Sequence, residues 1–352
     1  MISVQAPARI CFFGDHQDYL GLPVIAGTIN RYIYLEAKKN DQSKYVIQLI
    51  DLDKVIEINL TQYLKNIQPE DYYRSSMAVL TQQGAQFSQG YTIQISGTIP
   101  LNAGVSSSSA LVVAWLRFLI QAQEARWQVT DAQIGAWAYE AEVQFFNQPG
   151  GLMDQYTIAQ GGLIYIDTQN GTTTPLTPSM GSLILAESGI AKQTLSVLQN
   201  ARNFAQNAIE EVKSNVPQFD LHKANELDYE KYLSFVSNSY QPYWYAAIYN
   251  HLITHQAKKL LALSTPDFEK VGALMNAHQK ILQECIQNTP PPMIEQMEAA
   301  KKAGALGTKI VGSGGGGCML ALTNKESKVQ VIQAFKDAGA AQAYEVQLTS
   351  HP

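Results

Sequence analysis

The chain has 352 residues, of which 46 % are hydrophobic, and its formal net charge is -5. At about 150 residues per domain this length predicts two domains, each with a core, and it excludes disorder as the main state. No run of basic residues could follow a phosphate backbone, so we expect no nucleic-acid partner. The longest apolar stretch, residues 110–122, is shorter than the roughly 20 residues of a membrane-spanning helix, which predicts a soluble protein with no membrane partner.

The N-terminal residues and the cysteines indicate a compartment. Residues 1–7 have neither a basic n-region nor an apolar h-region, so we expect no secretory signal. Cys11, Cys285 and Cys318 are odd in number and lack CxxC spacing, which argues against a disulfide framework and a zinc site. We therefore expect a cytoplasmic location.

The first third of the chain is predicted to be rich in strands. β-Branched and aromatic residues concentrate in five segments, some with clear period-two alternation, and we expect these segments to form one sheet. The predicted strands are 4–13, 24–37, 45–50, 55–60 and 91–96. From residue 107 to about residue 148 the pattern predicts two helices, the second beginning at a Thr130–Asp131 cap, that cover one face of this sheet.

The remainder of the chain is predicted to hold more helices and fewer strands. A strand is predicted at 163–166, and the polar stretch 167–178 has the composition of a linker. We place a domain boundary near residue 185, which gives domains 1–185 and 186–352, the second of the α+β class. Its predicted helices are 192–216, 229–263, 266–287, 292–303 and 325–339, and its predicted strands are 308–311, 318–322 and 344–348.

A run of small residues, 100–110, lies between a predicted strand and the long apolar helix. Small side chains let a ligand approach the backbone, and the N–H groups and dipole at a helix start favour an anion. The run lacks the Walker A and GxGxxG patterns. A serine linker or an ordinary helix cap is the alternative, but a linker would not continue into the apolar residues 111–115. The segment therefore suits a phosphate cradle.

A second run of small residues, Gly-Ser-Gly-Gly-Gly-Gly at 312–317, lies between two apolar segments. Its composition alone would suit a linker. Strand-like flanks on both sides instead indicate that a phosphate or another loop comes close to the backbone.

The segment 9–21 is a predicted strand that ends in a polar loop. Asp15, His16 and Asp18 place three hydrogen-bonding side chains within four positions, a density that suits several sugar hydroxyls. A solvated turn is the alternative.

Two carboxylates add chemistry to these loops. Asp154 lies in an apolar, glycine-lined segment where a base could deprotonate an alcohol, and Glu142 could hold magnesium. Isolated acidic residues are mostly surface charges. Together with two glycine- or serine-rich loops, however, they suit phosphoryl transfer.

The order of these motifs resembles that of the GHMP small-molecule kinases over essentially the whole chain. Residues 9–21 are similar to the galactokinase signature GRxNLIGEHxDYNxG, and 149–155, PGGLMDQ, are similar to the galactokinase PCGIMDQ. The resemblance implies a two-domain α+β fold, with an N-terminal ribosomal-protein-S5-like α/β domain and a C-terminal ferredoxin-like domain. Among the members of the family, galactokinases are the most similar.

Site residues follow from the resemblance, position by position. It implies that Asp154 is the catalytic carboxylate and that Arg9 is its cationic partner, which favours the ionised form of Asp154. Asp15, His16 and Asp18 would bind the sugar. The residues expected around the ATP phosphates are Gly104, Ser106, Ser107, Ser108, Gly314 and Gly315. Ser107 and Glu142 would hold Mg²⁺, with Ser108 as an alternative ligand.

The implied function is ATP- and Mg²⁺-dependent phosphorylation of a sugar hydroxyl, foremost C1 of galactose, by a monomer or small homo-oligomer. Asp15 stands where galactokinases have Glu, and Cys11 where they have Asn. A related hexose, a uronic acid or a deoxy sugar therefore stays open as the acceptor. Residues 300–322 look more like mevalonate kinases, so phosphorylation of a hydroxy acid is a second hypothesis. A sugar and nucleotide sensor without catalysis is a third.

Overall fold

The computed structural model describes residues 1–100, 103–123, 127–191 and 194–349. Leu101 and Asn102 of the small-residue run, and the first two residues of the predicted helix 192–216, lie outside the described residues. In the described part of the chain, two β-sheets form the framework and helices pack against both.

The first sheet has seven strands in the described ranges. They are β1 (Ile2–Phe13), β2 (Val24–Lys39), β3 (Lys44–Leu49), β4 (Lys54–Asn59), β5 (Tyr91–Gly97), β6 (Leu163–Asp167) and β7 (Thr172–Leu176). The order is β4-β3-β5-β2-β6-β7, with β1 paired along almost the whole of β2. The β3–β5 pair is parallel and the other pairs are antiparallel. The five strands predicted in the first third are confirmed, all in one sheet.

Among the residues described, four helices accompany this sheet, and their bounds are α1 (Tyr72–Gln82), α2 (Ser107–Gln121), α3 (Asp131–Tyr139) and α4 (Met153–Gln160). The central helix is α2, which packs on β1 and β2 and contacts the other three helices. Its Trp115 is buried, with ring centroids 5.1 Å from Tyr73 and 5.7 Å from Tyr45. This arrangement holds the start of α2 at one end of the sheet. Both predicted helices are confirmed, and α3 continues into a π-helical turn at Glu140–Gln144.

The linker predicted at residues 167–178 is wrong in part. Strand β7 lies within it and pairs with β6, Leu163 opposite Leu176. Its residues are polar because β7 is an edge strand with most side chains exposed. An edge strand also tolerates Pro175, which has no N–H to donate.

The second sheet is antiparallel, in the order β11-β8-β10-β9. Its strands are β8 (Ser182–Glu187), β9 (Ala305–Ile310), β10 (Cys318–Thr323) and β11 (Gln342–Val346). The helices of this half are α5 (Thr194–Asn215), α6 (Glu226–Tyr232), α7 (Gln241–Leu261), α8 (Phe268–Ile281), α9 (Pro291–Lys302) and α10 (Lys328–Asp337). Numbered along the chain, the four strands stand in the order 4-1-3-2. With helices between the first and second and between the third and fourth, this is a ferredoxin-like arrangement.

The helix predicted over 229–263 is wrong as a single element. It is divided into α6 and α7, with a 3₁₀ turn at Leu233–Phe235 between them. Pro242 lies at the start of α7, where its missing N–H costs no helical hydrogen bond. Residue 185 lies inside β8, and the predicted boundary there stays a prediction.

No helix within the described ranges combines the length and apolar character needed to cross a bilayer. The two sheets meet around the run of small residues that precedes α2. The N–H of Cys318, at the start of β10, donates to the carbonyl of Ala103 over 2.7 Å. This contact brings together the two runs of small residues, 100–110 and 312–317.

Candidate active site

A partly buried ion pair joins β1 to α4. Arg9 is 3 % exposed and donates two hydrogen bonds to Asp154, from Nε to Oδ1 at 2.7 Å and from Nη2 to Oδ2 at 2.8 Å. Its third nitrogen, Nη1, donates to the carbonyl of Gly104 at 2.7 Å. Burial by itself would lower the pKa of Arg9, but the charge and hydrogen bond of Asp154 raise it above its ordinary value. Arg9 therefore keeps its charge, and the fork geometry fixes the orientation of the carboxylate.

Ser106 links this carboxylate to the start of α2. Its hydroxyl donates to Oδ2 of Asp154 and caps no helix N–H. Ser106 also has a left-handed backbone, with φ of 63°, a strained state that is common at functional sites. Because the serine hydroxyl is used elsewhere, the first N–H groups of α2 stay available to an anion.

Glu142 lies on the π-helical turn after α3, and such turns are frequent at functional sites. It is 5 % exposed, and Gln155 Nε2 donates to its Oε2 at 2.7 Å. Burial raises the pKa of Glu142, opposed by hydrogen bonds from Gln155, Ser109 and Ser108. The carboxylate thus faces the serine hydroxyls of α2, and together they form a set of hard oxygen donors.

Asp18 approaches the same cavity from the loop after β1. An ideal Cβ built on Gly151 would lie 2.2 Å from the Asp18 carboxylate, so only glycine fits there while Asp18 keeps this position. Burial raises the pKa of Asp18 to about 6; the charge of Asp154 adds to this, whereas the N–H groups of Tyr19 and Met153 oppose it. Two carboxylates from different motifs therefore share one low-dielectric space.

The other two residues predicted to bind sugar are engaged with the second half of the chain. Asp15 is 1 % exposed and accepts from Lys309 Nζ at 2.6 Å. His16 contacts the carbonyl of Ser313 through Nε2 and the hydroxyl of Tyr19 through Nδ1, both at 2.9 Å. Both residues line the cavity while they tie the loop to residues 312–313.

The glycine-rich run packs directly on the serine-rich run. Gly317 has φ of +86°, and a Cβ there would come within 2.7 Å of the Ala103 carbonyl. Gly315 donates its N–H to the Asn288 carbonyl at 2.7 Å, and Gly314 packs on the same residue. These two glycines, predicted to bind ATP, are not among the described residues that line the cavity.

Gly312 and Ser313 line the cavity in their place. The Ser313 hydroxyl is buried and finds no partner among the described residues, which makes it a donor for a bound group. Ser313 was not predicted from the sequence, although a serine inside a glycine run was the available signal. Glu70, Tyr72 and Gln148 also line the cavity, and no motif marks them.

The cavity has a volume of about 390 Å³, within the range of small-molecule sites. It brings together most of the residues predicted from the sequence, from both halves of the chain. Those that line it are Arg9, Asp15, His16, Asp18, Gly104, Ser106, Ser107, Ser108, Glu142 and Asp154. A helix start, a carboxylate held by a buried guanidinium and hydroxyl donors in one cavity suit transfer of a phosphoryl group.

Three sequence-family comparisons match the chain. "GHMP kinases N terminal domain" matches residues 72–162, "GHMP kinases C terminal" matches 257–341, and "Galactokinase galactose-binding signature" matches 2–39. The chain belongs to the GHMP kinases. This confirms the resemblance inferred from the motifs, including the similarity to galactokinases.

Relatives with two different named activities match the chain. A galactokinase of Haemophilus influenzae is 28 % identical, with 96 % of this chain and 88 % of the relative covered. A mevalonate kinase of Thermococcus gammatolerans is 26 % identical, with 96 % and 93 % covered. The family is one of phosphotransferases, and these two names leave the acceptor to be argued from the site.

Solved structures show the same fold. Lactococcus lactis galactokinase in complex with galactose superposes with a TM-score of 0.87 at 20 % identity, covering 99 % of this chain and 94 % of that one. Methanococcus jannaschii mevalonate kinase gives a TM-score of 0.73 at 18 % identity, covering 99 % and 98 %. The predicted two-domain fold is thereby confirmed.

Proposed function

We propose that this GHMP kinase transfers the γ-phosphate of ATP to a sugar hydroxyl, the C1 hydroxyl of galactose or of a closely related sugar. One observation carries the proposal: the Arg9–Asp154 pair, the carboxylate of Asp18 and the start of α2 share one cavity. The Arg9–Asp154 pair supplies a fixed acceptor for the hydroxyl proton. The Asp18 carboxylate supplies a hydrogen-bond acceptor for other hydroxyls, and the start of α2 supplies an anion site.

The chemistry depends on positioning. Phosphoryl transfer passes through a loose transition state in which the attacking oxygen needs little activation. A carboxylate held by two guanidinium nitrogens and a serine hydroxyl is a weak base but a well-oriented one. In the proposed role, Asp154 orients the acceptor hydroxyl and takes its proton late, while Arg9 offsets negative charge near the transferring group.

The residues present fit Mg²⁺. Glu142 and the hydroxyl of Ser107 or Ser108 would hold it. These are hard oxygen donors, and protein sites for this ion use one or two carboxylates completed by substrate phosphates. No cluster of three or more His, Cys, Asp or Glu suited to a metal occurs among the described residues, and phosphate oxygens and water would complete the coordination. Bound there, Mg²⁺ would neutralise charge on the phosphate oxygens.

The charge of the cavity favours a neutral polyol over a hydroxy acid. Among the described residues that line it, Arg9 is the only arginine or lysine, and its three nitrogens are engaged. A mevalonate carboxylate would therefore approach Asp18 without a counter-charge, which costs free energy in a partly desolvated site. Sugar hydroxyls instead donate to carboxylate oxygens.

The test is turnover by the purified chain with ATP and Mg²⁺ across galactose, related hexoses, deoxy sugars, a uronic acid and mevalonate. We expect ADP release that depends on a sugar, and NMR of the product should place phosphate on the anomeric carbon. Release that depends only on mevalonate would overturn the sugar assignment. Sugar and nucleotide binding without turnover would support a sensor instead.

Gly151→Ala is expected to raise the KM for the sugar about 10-fold or more, because the new methyl group must displace the Asp18 carboxylate from its position. The KM for ATP should change little. Steady-state kinetics with each substrate varied in turn measures both.

Gly150→Ala is the matched control for this variant. An ideal Cβ at Gly150 meets only the Val143 side chain, at 3.8 Å, so its kinetics should stay close to wild type. Equal sugar KM values for the two variants would contradict the placement of Asp18 at the acceptor.

A further inference from the structure

Lys309 on β9 is a lysine without solvent exposure. Lysine is rarely buried unless it is paired. Its Nζ donates to Asp15 Oδ2 at 2.6 Å, to the Cys11 carbonyl at 3.0 Å and to the Ile310 carbonyl at 2.6 Å. All three donors of the ammonium group are thus satisfied by protein atoms.

The partner carboxylate is equally enclosed. Asp15 is 1 % exposed, and its second oxygen, Oδ1, accepts from the N–H of Gly312 at 3.0 Å. Burial alone would raise the pKa of Asp15, but Lys309 holds it below its ordinary value. His278, also buried nearby, has its pKa lowered to about 3 by burial and by Lys309. It is therefore neutral, and Lys309 supplies the counter-charge.

This ion pair joins parts of the chain that are 294 residues apart. Asp15 belongs to the loop after β1, which also carries Asp18, whereas Lys309 and Gly312 flank the end of β9. A second bridge runs beside it: Asn288 Nδ2 contacts His16 Nε2 at 3.1 Å and donates to the Ser313 carbonyl at 3.0 Å. The acceptor loop and the glycine-rich run are therefore fastened together at two neighbouring points.

We propose that Lys309 is a positioning residue of the acceptor site, acting through Asp15 to hold the loop 14–18 against the glycine-rich run 312–317. The proposal rests on the proposed sugar kinase function. Asp15 then acts as part of the fastening and not as a sugar ligand, its two oxygens accepting from Lys309 and from the N–H of Gly312. His16, whose ring nitrogens contact Tyr19 and Ser313, belongs to the second bridge, and Asp18 keeps the contact with the acceptor.

The fastening also couples the two substrates. A nucleotide whose phosphates order residues 312–317 also fixes Gly312. Through Asp15, the same nucleotide fixes the loop that presents Asp18. Binding of nucleotide is therefore expected to tighten binding of sugar, and by linkage sugar tightens nucleotide by the same factor. This coupling factor should fall to one in variants that lack the Lys309–Asp15 ion pair.

The experiment compares Lys309→Met, Asp15→Asn and the double variant. Lys309→Met leaves a buried carboxylate without its partner and should lower Tm strongly, whereas the double variant removes both charges and should recover much of that loss. Both single variants should raise the sugar KM about 10- to 100-fold with a smaller change in kcat, and the double variant should be no worse than Asp15→Asn. Lys328→Met, which breaks the partly exposed pair with Glu345, is the control and should match wild type.

The alternative, in which Asp15 binds sugar directly, gives a different pattern. Lys309→Met would then free the carboxylate and leave the sugar KM unchanged or lower, while Asp15→Asn would raise it; this result overturns the proposal. If Lys309→Met fails to fold, the hydrogen exchange of the double variant decides, because equal sugar KM values for the double variant and Asp15→Asn are expected in both cases. A double variant clearly worse than Asp15→Asn overturns the proposal.

Hydrogen exchange of the substrate-free protein tests the fastening without activity. In the double variant the amides of 14–18 and 312–317 should exchange about 10-fold faster than in wild type, while β10 stays protected. Unchanged exchange in both segments overturns the proposal even if the wild type phosphorylates sugar. Faster exchange confined to them supports it even if the wild type phosphorylates none of the sugars tested, an outcome that counts against the proposed function alone.

Discussion

Replacing Asp154 with Asn is expected to lower kcat by about 10²-fold or more, the usual scale for loss of a general base. Asparagine can neither take the acceptor proton nor balance the charge of Arg9, which is 3 % exposed. The residues that supply the first N–H groups of α2 and the glycine-rich run are not altered, so affinity for ATP should stay within a few-fold. Turnover of the best sugar and calorimetric titration with a non-hydrolysable ATP analogue measure the two quantities.

The matched control for this variant is Asp131→Asn. Asp131 also pairs with an arginine, Arg117 at 3.2 Å, but outside the cavity and half exposed. Its loss should leave kcat near wild type, since such exposed pairs contribute little. If Asp154→Asn behaved like this control, Asp154 would not be the catalytic carboxylate.

The strands of the first sheet could be predicted because one face of each is buried and alternation is visible. Helix α1 was not predicted. Residues 73 and 75–80 are buried, between α2 and the π-helical turn. Two of these buried residues are serines and the apolar run 77–80 is short, so composition gives no long apolar face there.

The residues of the candidate site also divide into those that could be predicted from the sequence and those that could not. Residues in contiguous motifs, such as Asp18 and Asp154, could be predicted, and the structure brings both to one cavity. Lys309 could not: a single lysine in an apolar strand has no periodic signal, and its partner lies 294 residues away. Within the glycine-rich run, composition could not tell which residues face the cavity and which pack on Asn288.

Asp18→Asn is expected to change binding and stability in opposite directions. A neutral amide makes weaker hydrogen bonds with sugar hydroxyls, so the sugar KM should rise by about 10- to 100-fold. The same change removes a half-buried charge beside Asp154. At pH 8 it should stabilise the fold by about 1–2 kcal/mol, taking 1.36 kcal/mol per pKa unit and discounting for partial exposure.

The dependence on pH gives this prediction its sign. The folded-state pKa of Asp18, about 6, lies above the ordinary 3.8. The folded state therefore binds more protons than the unfolded state between these values, and Asp18 reduces stability as pH rises through that window. The gain in Tm from Asp18→Asn should be complete above about pH 7, much smaller at pH 4 and absent below about pH 3.

The wild-type sugar KM should rise as pH falls below about 6 and Asp18 becomes protonated, a limb that Asp18→Asn lacks. Asp337→Asn, on the exposed end of α10, should shift neither Tm nor KM at any pH. A Tm gain for Asp18→Asn that is equal at pH 4 and pH 8 would contradict a buried charge as its cause. An unchanged sugar KM would remove Asp18 from the acceptor site. Loss of sugar affinity together with higher stability at pH 8 would instead show that Asp18 serves binding and lowers the stability of the fold.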